Sequence, residues 1–203
     1  RSMKRIDHNK QSITGNHNVL IDVNKGFVLV NQTQEGVDDK NLNLVPYYDR
    51  RNLFDRVDIT KTIHETLMDT NEMVVLTGVG GIGKTSIALA YCNEPEIQKY
   101  YDHIAWVTVT NDLRRDMMHQ LSNGDTGFDY KSNGSEEDEE NYFFDLLKKL
   151  GNVKGNNLIV FDNANDSDEI LNNKSYLNYL RWKVLVTSRS RPDGCRLIDV
   201  TEL

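Results

Sequence analysis

The protein has 203 residues, of which 38% are hydrophobic and 27% charged, and its 24 basic and 31 acidic side chains give a net charge of −7. This length suits one ordinary domain with a short appendage, and the acidic balance argues against a nucleic-acid-binding surface. No run of about 18 apolar residues predicts a membrane span, and no secretory pattern opens the chain. Two distant cysteines fit a reducing compartment, so we expect a cytoplasmic protein without a zinc site.

The first part of the chain, residues 1–45, is polar and rich in Asn and Gly. Two β-prone runs at 18–23 and 27–30 flank a short turn that contains glycine, which predicts a β-hairpin followed by a linker. A lone hairpin is marginal in water, so we expect it to pack on the main domain or on another chain. The main domain is predicted to occupy residues 46–203.

Short, continuously apolar runs alternate with helical periodicities in the main domain. Continuous apolarity is typical of strands that are buried on both faces of a parallel sheet. The predicted strands are 73–77, 103–109, 158–162, 183–187 and a candidate fifth at 195–200. The predicted helices are 58–70, 84–92, 113–121, 168–180 and a segment that begins in the acidic run 136–140. The alternation predicts a three-layer α/β fold with a mostly parallel, five-stranded sheet.

A glycine-rich loop follows the first of these strands. It reads Gly78-Val79-Gly80-Gly81-Ile82-Gly83-Lys84-Thr85 and fits the pattern GxxxxGK[ST], with a strand before it and a helix after it. Glycines allow backbone N–H groups to approach phosphate oxygens, and the N–H groups at a helix start bind anions. Lys84 would add a fixed charge for the β- and γ-phosphates, and the Thr85 hydroxyl a ligand for Mg²⁺. The predicted nucleotide-binding residues are Gly78, Val79, Gly80, Gly81, Ile82, Gly83, Lys84, Thr85 and Ser86.

The strand 158–162 consists of four apolar residues that end in Asp162, at the sheet edge where ligands of α/β proteins bind. We expect Asp162 to hold Mg²⁺ through water. Many ATPases carry a second acid at the next position, but this chain has Asn163, and an amide cannot act as a general base. Asp166 could substitute, or Asp166 and Asp168 could simply cap the following helix. The sequence therefore predicts slow hydrolysis or none.

The strand 183–187 is followed by two arginines, Arg189 and Arg191. A cation at the end of a strand beside the magnesium strand can contact the γ-phosphate, and a guanidinium fits phosphate geometry. Arg189 is the first candidate and Arg191 the alternative. Lys84, Asp162, Asp166 and Arg189 form the candidate catalytic set.

These motifs together resemble the STAND class of P-loop ATPases and, within it, the NB-ARC (AP-ATPase) nucleotide-binding domain. The segments that carry the resemblance are GVGGIGKTSIALAY, the strand IAWVTV, LIVFDNAN and VLVTSR, over about residues 50–203. The resemblance implies a P-loop NTPase fold, binding of ADP or ATP with Mg²⁺, and a place in a larger, bacterial signalling protein.

The chain departs from the family pattern where the family contacts adenine. The nearest segment is 53–56, which would contribute Phe54 and Arg56, and 47–50 is a rival placement. The helical and winged-helix subdomains of the family do not follow within these residues, so we expect a nucleotide-binding domain excised from a larger protein.

The favoured function is an adenine-nucleotide switch that hydrolyses ATP slowly at most, with other domains of the parent protein and nucleotide-dependent self-association as partners. One alternative is a turnover ATPase or kinase-like enzyme, although basic clusters after the loop are few. Another is a non-catalytic interaction module that nucleotide stabilises. A GTPase is disfavoured because no NKxD motif is present.

Overall fold

The computed structural model describes most of the main domain and three short strands near the N-terminus. The described residues are 10–14, 18–22, 27–31, 45–46, 48, 57–110, 112–122, 130 and 135–201. They contain one three-stranded and one five-stranded sheet.

The three-stranded sheet is antiparallel, in the order β1-β2-β3, and its strands are β1 (Lys10–Thr14), β2 (Asn18–Asp22) and β3 (Phe27–Asn31). The pairing of β2 with β3 is the hairpin that the sequence predicts. The strand β1, which pairs with β2, was not predicted. The domain boundary at residue 45 and the docking of the hairpin stay predictions.

The five-stranded sheet confirms the predicted α/β fold. Its strands are β4 (Val74–Thr77), β5 (His103–Thr108), β6 (Asn157–Asp162), β7 (Lys183–Ser188) and β8 (Arg196–Asp199). They lie in the order β5-β6-β7-β4-β8, and every neighbouring pair is parallel. All residues of β4 and β6 are buried, and the apolar runs at 74–76 and 158–161 predict this.

Helices connect the strands. They are α1 (Val57–Asp69), α2 (Lys84–Cys92), α3 (Pro95–Tyr100), α4 (Leu113–Leu121), α5 (Glu136–Gly151) and α6 (Ser167–Tyr179). The acidic run lies in the first turns of α5, where Ser135 and Asp138 form a capping box and negative charge favours the helix dipole. The short helix α3 was not predicted. Among the described helices, none has the length and apolarity of a membrane-spanning segment.

Two hydrophobic clusters cover the two faces of the large sheet and make the fold three-layered. Alternate residues of one strand enter different clusters: Ile159 joins α4, α5 and α6 on one face, while Val160 joins α1, α2 and α3 on the other. This period of two is the pleat of a β-strand. The layered core therefore holds the sheet rigidly and fixes the ends of β4, β6 and β7 beside one another.

Candidate functional site

The carboxyl ends of three neighbouring strands, β4, β6 and β7, meet at one edge of the sheet. A cavity of about 480 Å³ opens there, a volume typical of small-ligand sites. Its lining residues are Gly80, Gly81, Gly83, Lys84, Thr85, Ser86, Asn163, Asn165, Thr187 and Arg189. The structure thus brings the predicted phosphate loop, the residue after the magnesium strand and the predicted sensor arginine into one site.

The phosphate loop depends on glycine at two positions in particular. A Cβ atom at Gly78 would lie 2.6 Å from the Val200 carbonyl oxygen, so no side chain fits there. Gly83 is the N-cap of α2 with φ of 96°, which is left-handed backbone that favours glycine. It offers no side chain to the first turn of α2, and that turn carries no acid. The backbone N–H groups at this helix start therefore suit an anion.

Lys84 is buried at the base of this loop. Its Nζ donates hydrogen bonds to the carbonyl oxygens of Gly78 at 2.7 Å and Val79 at 2.8 Å. Burial lowers the pKa of Lys84 most, the charge of Arg189 lowers it further, and the Asp162 carboxylate raises it. Because two cations share the site, an added anion would relieve their repulsion.

Asp162 lies at the end of β6 and is buried. One of its carboxylate oxygens, Oδ1, accepts hydrogen bonds from Thr85 Oγ1 at 2.8 Å and from Thr187 Oγ1 at 2.6 Å. The carboxylate and the Thr85 hydroxyl are hard oxygen donors of the kind that Mg²⁺ prefers. Among the described residues, no group of three or more His, Cys, Asp or Glu side chains could hold a metal. This sparse donor set fits an ion that keeps waters and ligand phosphates in its shell.

Asn163 holds the turn after β6. Its φ is 65°, a left-handed conformation that asparagine tolerates better than most residues. Its backbone N–H donates to Thr187 Oγ1 at 2.8 Å, and its Nδ2 donates to the Val109 carbonyl oxygen at 3.2 Å. The position that carries an acid in many ATPases is therefore occupied by a hydrogen-bonded amide.

Asp166 is the N-cap of α6, which is the second of the two alternatives that the sequence leaves open. Its Oδ1 accepts hydrogen bonds from the backbone N–H groups of Asp168 at 2.9 Å and Glu169 at 3.2 Å. Asp166 does not belong to the residues that line the described cavity. A catalytic role for Asp166 stays a prediction, and the structure supplies a capping reason for its presence.

The two candidate sensor arginines differ in their partners. Arg191 forms an ion pair with Asp199, and a second contact joins its Nη2 to Asp199 Oδ2 at 3.2 Å. Arg189 lines the cavity, and a Cβ atom at Gly80 would lie 3.7 Å from Arg189 Cδ. Within the described part of the chain, no carboxylate pairs with the Arg189 guanidinium. The structure therefore favours Arg189 over Arg191 as the cation that faces the phosphate loop.

The residues that line the cavity differ in part from the predicted site residues. Phe54 and Arg56 lie outside the described residues. Val79 is 66% exposed, and Gly78, Val79, Ile82 and Asp162 are not among the residues that line the cavity. Sequence reasoning missed Asn165 and Thr187. Thr187 could have been found from its place at the carboxyl end of a predicted strand, whereas nothing in the sequence marks Asn165.

Comparison with known families settles the family. Residues 56–193 match the model of the NB-ARC domain. The protein belongs to the NB-ARC domain family. A putative disease resistance protein of Arabidopsis thaliana is 31% identical over 124 residues, which cover 60% of this chain and 13% of that protein. A probable disease resistance protein of the same plant is 30% identical over 143 residues, covering 69% of this chain and 16% of that protein. The NB-ARC match thus spans a small part of these relatives.

Solved structures give more distant likenesses to this NB-ARC domain. AMPPCP-bound DnaA from Aquifex aeolicus aligns with a TM-score of 0.42 and 14% identity, over 82% of this chain and 51% of that one. PCH-2 from C. elegans aligns with a TM-score of 0.39 and 14% identity, over 70% of this chain and 38% of that one.

Proposed function

We propose that this NB-ARC domain is the adenine-nucleotide switch of a larger signal transduction ATPase, with ADP or ATP and Mg²⁺ as its ligands. The observation that carries the proposal is the cavity at the ends of β4, β6 and β7. There the buried Lys84 and Arg189, whose guanidinium has no carboxylate partner among the described residues, lie beside a glycine loop and a helix start. These groups supply positive charge and backbone N–H donors, which is the chemistry that binds a chain of phosphates.

Thr85, which lines the cavity, and Asp162 are the residues that would hold Mg²⁺, since Thr85 Oγ1 and Asp162 Oδ1 lie 2.8 Å apart. A bound Mg²⁺ would neutralise charge on the phosphate oxygens. Thr187 holds the Asp162 carboxylate in place from β7 through its hydrogen bond to Oδ1. Lys84 would move from the carbonyl oxygens of its own loop to the phosphates, which are stronger acceptors for an ammonium group.

Hydrolysis is expected to be slow in this domain. The amide of Asn163 accepts no proton, and the carboxylate of Asp166 is engaged at the start of α6. A site that binds ATP without a general base hydrolyses it slowly. That behaviour suits a switch better than a turnover enzyme.

The switch itself requires a difference between ADP and ATP. Lys84 and the helix start would contact phosphates that both nucleotides share, whereas Arg189, whose Cδ would lie 3.7 Å from a Cβ atom at Gly80, would contact the additional phosphate of ATP. A ligand shifts a conformational equilibrium only by its differential affinity for the two states. We infer that ADP favours a closed state of the parent protein and that ATP favours an open state that self-associates through its other domains.

A direct test is to denature the purified protein, identify the released nucleotide by anion-exchange chromatography and then time the hydrolysis of added Mg-ATP. Tightly held ADP with negligible turnover is the expected result. An empty site with steady turnover would instead favour an ATPase that works continuously.

A further inference from the structure

Asn165 lies between the loops that follow β6 and β7 and uses both ends of its side chain. Its Nδ2 donates to Asn163 Oδ1 at 2.7 Å, and its Oδ1 accepts from the backbone N–H of Arg189 at 2.8 Å. The residue is half-buried and lines the cavity. The side-chain amide of Asn165 therefore links Asn163, which stands where many ATPases carry an acid, to Arg189.

We propose that Asn165 is a positioning residue that aims Arg189 at the γ-phosphate and so sets the preference of the site for ATP over ADP. The role rests on the proposed function, because it concerns recognition of a nucleotide phosphate in the same cavity.

The Arg189 side chain has few other restraints. It is exposed, and within the described residues its guanidinium makes no ion pair, unlike that of Arg191, which pairs with Asp199. What is fixed is its backbone N–H, which Asn165 holds. This hydrogen bond fixes the backbone position from which the Arg189 side chain extends past Gly80.

The direction of the hydrogen bonds makes an amide necessary at position 165. Asn163 donates through Nδ2 to the Val109 carbonyl oxygen, which turns its Oδ1 toward Asn165. Asn165 must then donate to Asn163 and accept from Arg189, and only a side chain with both a donor and an acceptor can do so. A carboxylate at position 165 would still accept from Arg189 but would face Asn163 Oδ1 without a proton between them. Rotation of the Asn163 amide would remove that clash only by giving up the bond to Val109.

The experiment compares the dissociation constants of ADP and of β,γ-methylene ATP, both with Mg²⁺, for the wild type, Asn165→Asp and Asn165→Ala. We expect the preference for the ATP analogue to fall by about tenfold in both variants, since one charge-assisted contact is displaced. ADP affinity should change less than about twofold in Asn165→Ala, which adds no charge to the cavity. Asn172→Asp, the same chemical change at an exposed site of α6, is the matched control and should leave both constants unchanged. Thermal unfolding without nucleotide verifies that each variant is folded.

A double-mutant comparison separates positioning of Arg189 from general support of the site. If Asn165 acts through Arg189, then Asn165→Ala should change the ADP-to-ATP ratio no further in a protein that already carries Arg189→Ala. Additive changes in the ratio, or equal losses of ADP and ATP affinity, would overturn the role proposed for Asn165. A wild type that binds neither nucleotide would overturn the proposed function itself, which is a distinguishable result.

Discussion

At the scale of single residues, Lys84 is the side chain on which phosphate binding should depend most. Burial and the nearby Arg189 lower its pKa, so its charge is costly until an anion arrives. Lys84→Ala should abolish the rise in melting temperature that ADP and ATP produce, while the protein without nucleotide stays folded. Melting curves at a fixed nucleotide concentration measure this rise. If nucleotide raised the melting temperature of Lys84→Ala as much as that of the wild type, the assignment of the phosphate site would be wrong.

Asn163 is the residue that should limit chemistry. Asn163→Asp supplies a carboxylate at a position where the left-handed backbone tolerates aspartate. A general base contributes about 10²–10⁴-fold, so even imperfect placement should raise ATP hydrolysis by about tenfold. Asn163→Gly keeps the backbone conformation without a base and is the control. Equal phosphate release by Asn163→Asp and the wild type would mean that positioning of water sets the rate.

At the scale of elements, the start of α6 allows capping by Asp166 to be separated from catalysis. Serine caps helices about as well as aspartate but cannot act as a carboxylate base. Asp166→Ser should therefore keep both stability and the slow hydrolysis rate, whereas Asp166→Ala should lose about 1 kcal/mol of unfolding free energy. Urea unfolding and phosphate release measure the two effects. A hydrolysis rate that collapses in Asp166→Ser at unchanged stability would establish the catalytic role.

Gly151 and Gly155 both lie before β6, and their substitution by alanine should change the free energy of unfolding in opposite directions. Gly155 has φ of +102°, and a Cβ atom there would lie 2.7 Å from Asp102 Cγ, whose carboxylate accepts from the Asn156 N–H. Gly155→Ala should cost about 1–3 kcal/mol of unfolding free energy through backbone strain. Gly151 ends α5 with open space around it, so Gly151→Ala should gain about 0.4–1 kcal/mol. The midpoints of urea unfolding measure both effects. An unchanged midpoint in Gly155→Ala would show that the turn rearranges to accept a side chain.

At the scale of the whole molecule, the strands of the large sheet and their alternation with helices could be predicted from the sequence, because strands buried on both faces consist of continuous apolar runs. The lateral order of the strands was not predicted. The exceptions have physical causes. The helix α3 (Pro95–Tyr100) is too short to show a helical period, and β1 (Lys10–Thr14) contains one apolar residue, Ile13. The phosphate loop and Asp162 follow from local motifs. Thr187 could be expected at the site from its place at the carboxyl end of a predicted strand. Asn165 reaches the site only through the turn geometry after β6, which no spacing along the chain encodes.

The relatives of this domain are much longer proteins. The curated relatives reported above are plant disease resistance proteins, and the chain spans only 13% and 16% of the length of the two. The bacterial source inferred from the sequence stays a prediction, as do the partner domains and self-association. The family accounts for the motifs of the site, and its relatives are much longer than the segment that matches.

Binding at this site should stabilise the entire domain, because the cavity joins β4, β6 and β7 at the centre of the sheet. A ligand at 100 times its dissociation constant adds about 2.7 kcal/mol, which raises the melting temperature of a domain of this size by about 5–10 °C. Removing Mg²⁺ with EDTA should reduce the rise in melting temperature that ATP produces. Without the ion that Thr85 and Asp162 would hold, the charge on the phosphates is not neutralised. GTP at the same concentration is the control for the base. A rise with ATP that is insensitive to EDTA would contradict the magnesium assignment, and an equal rise with GTP would contradict the preference for adenine.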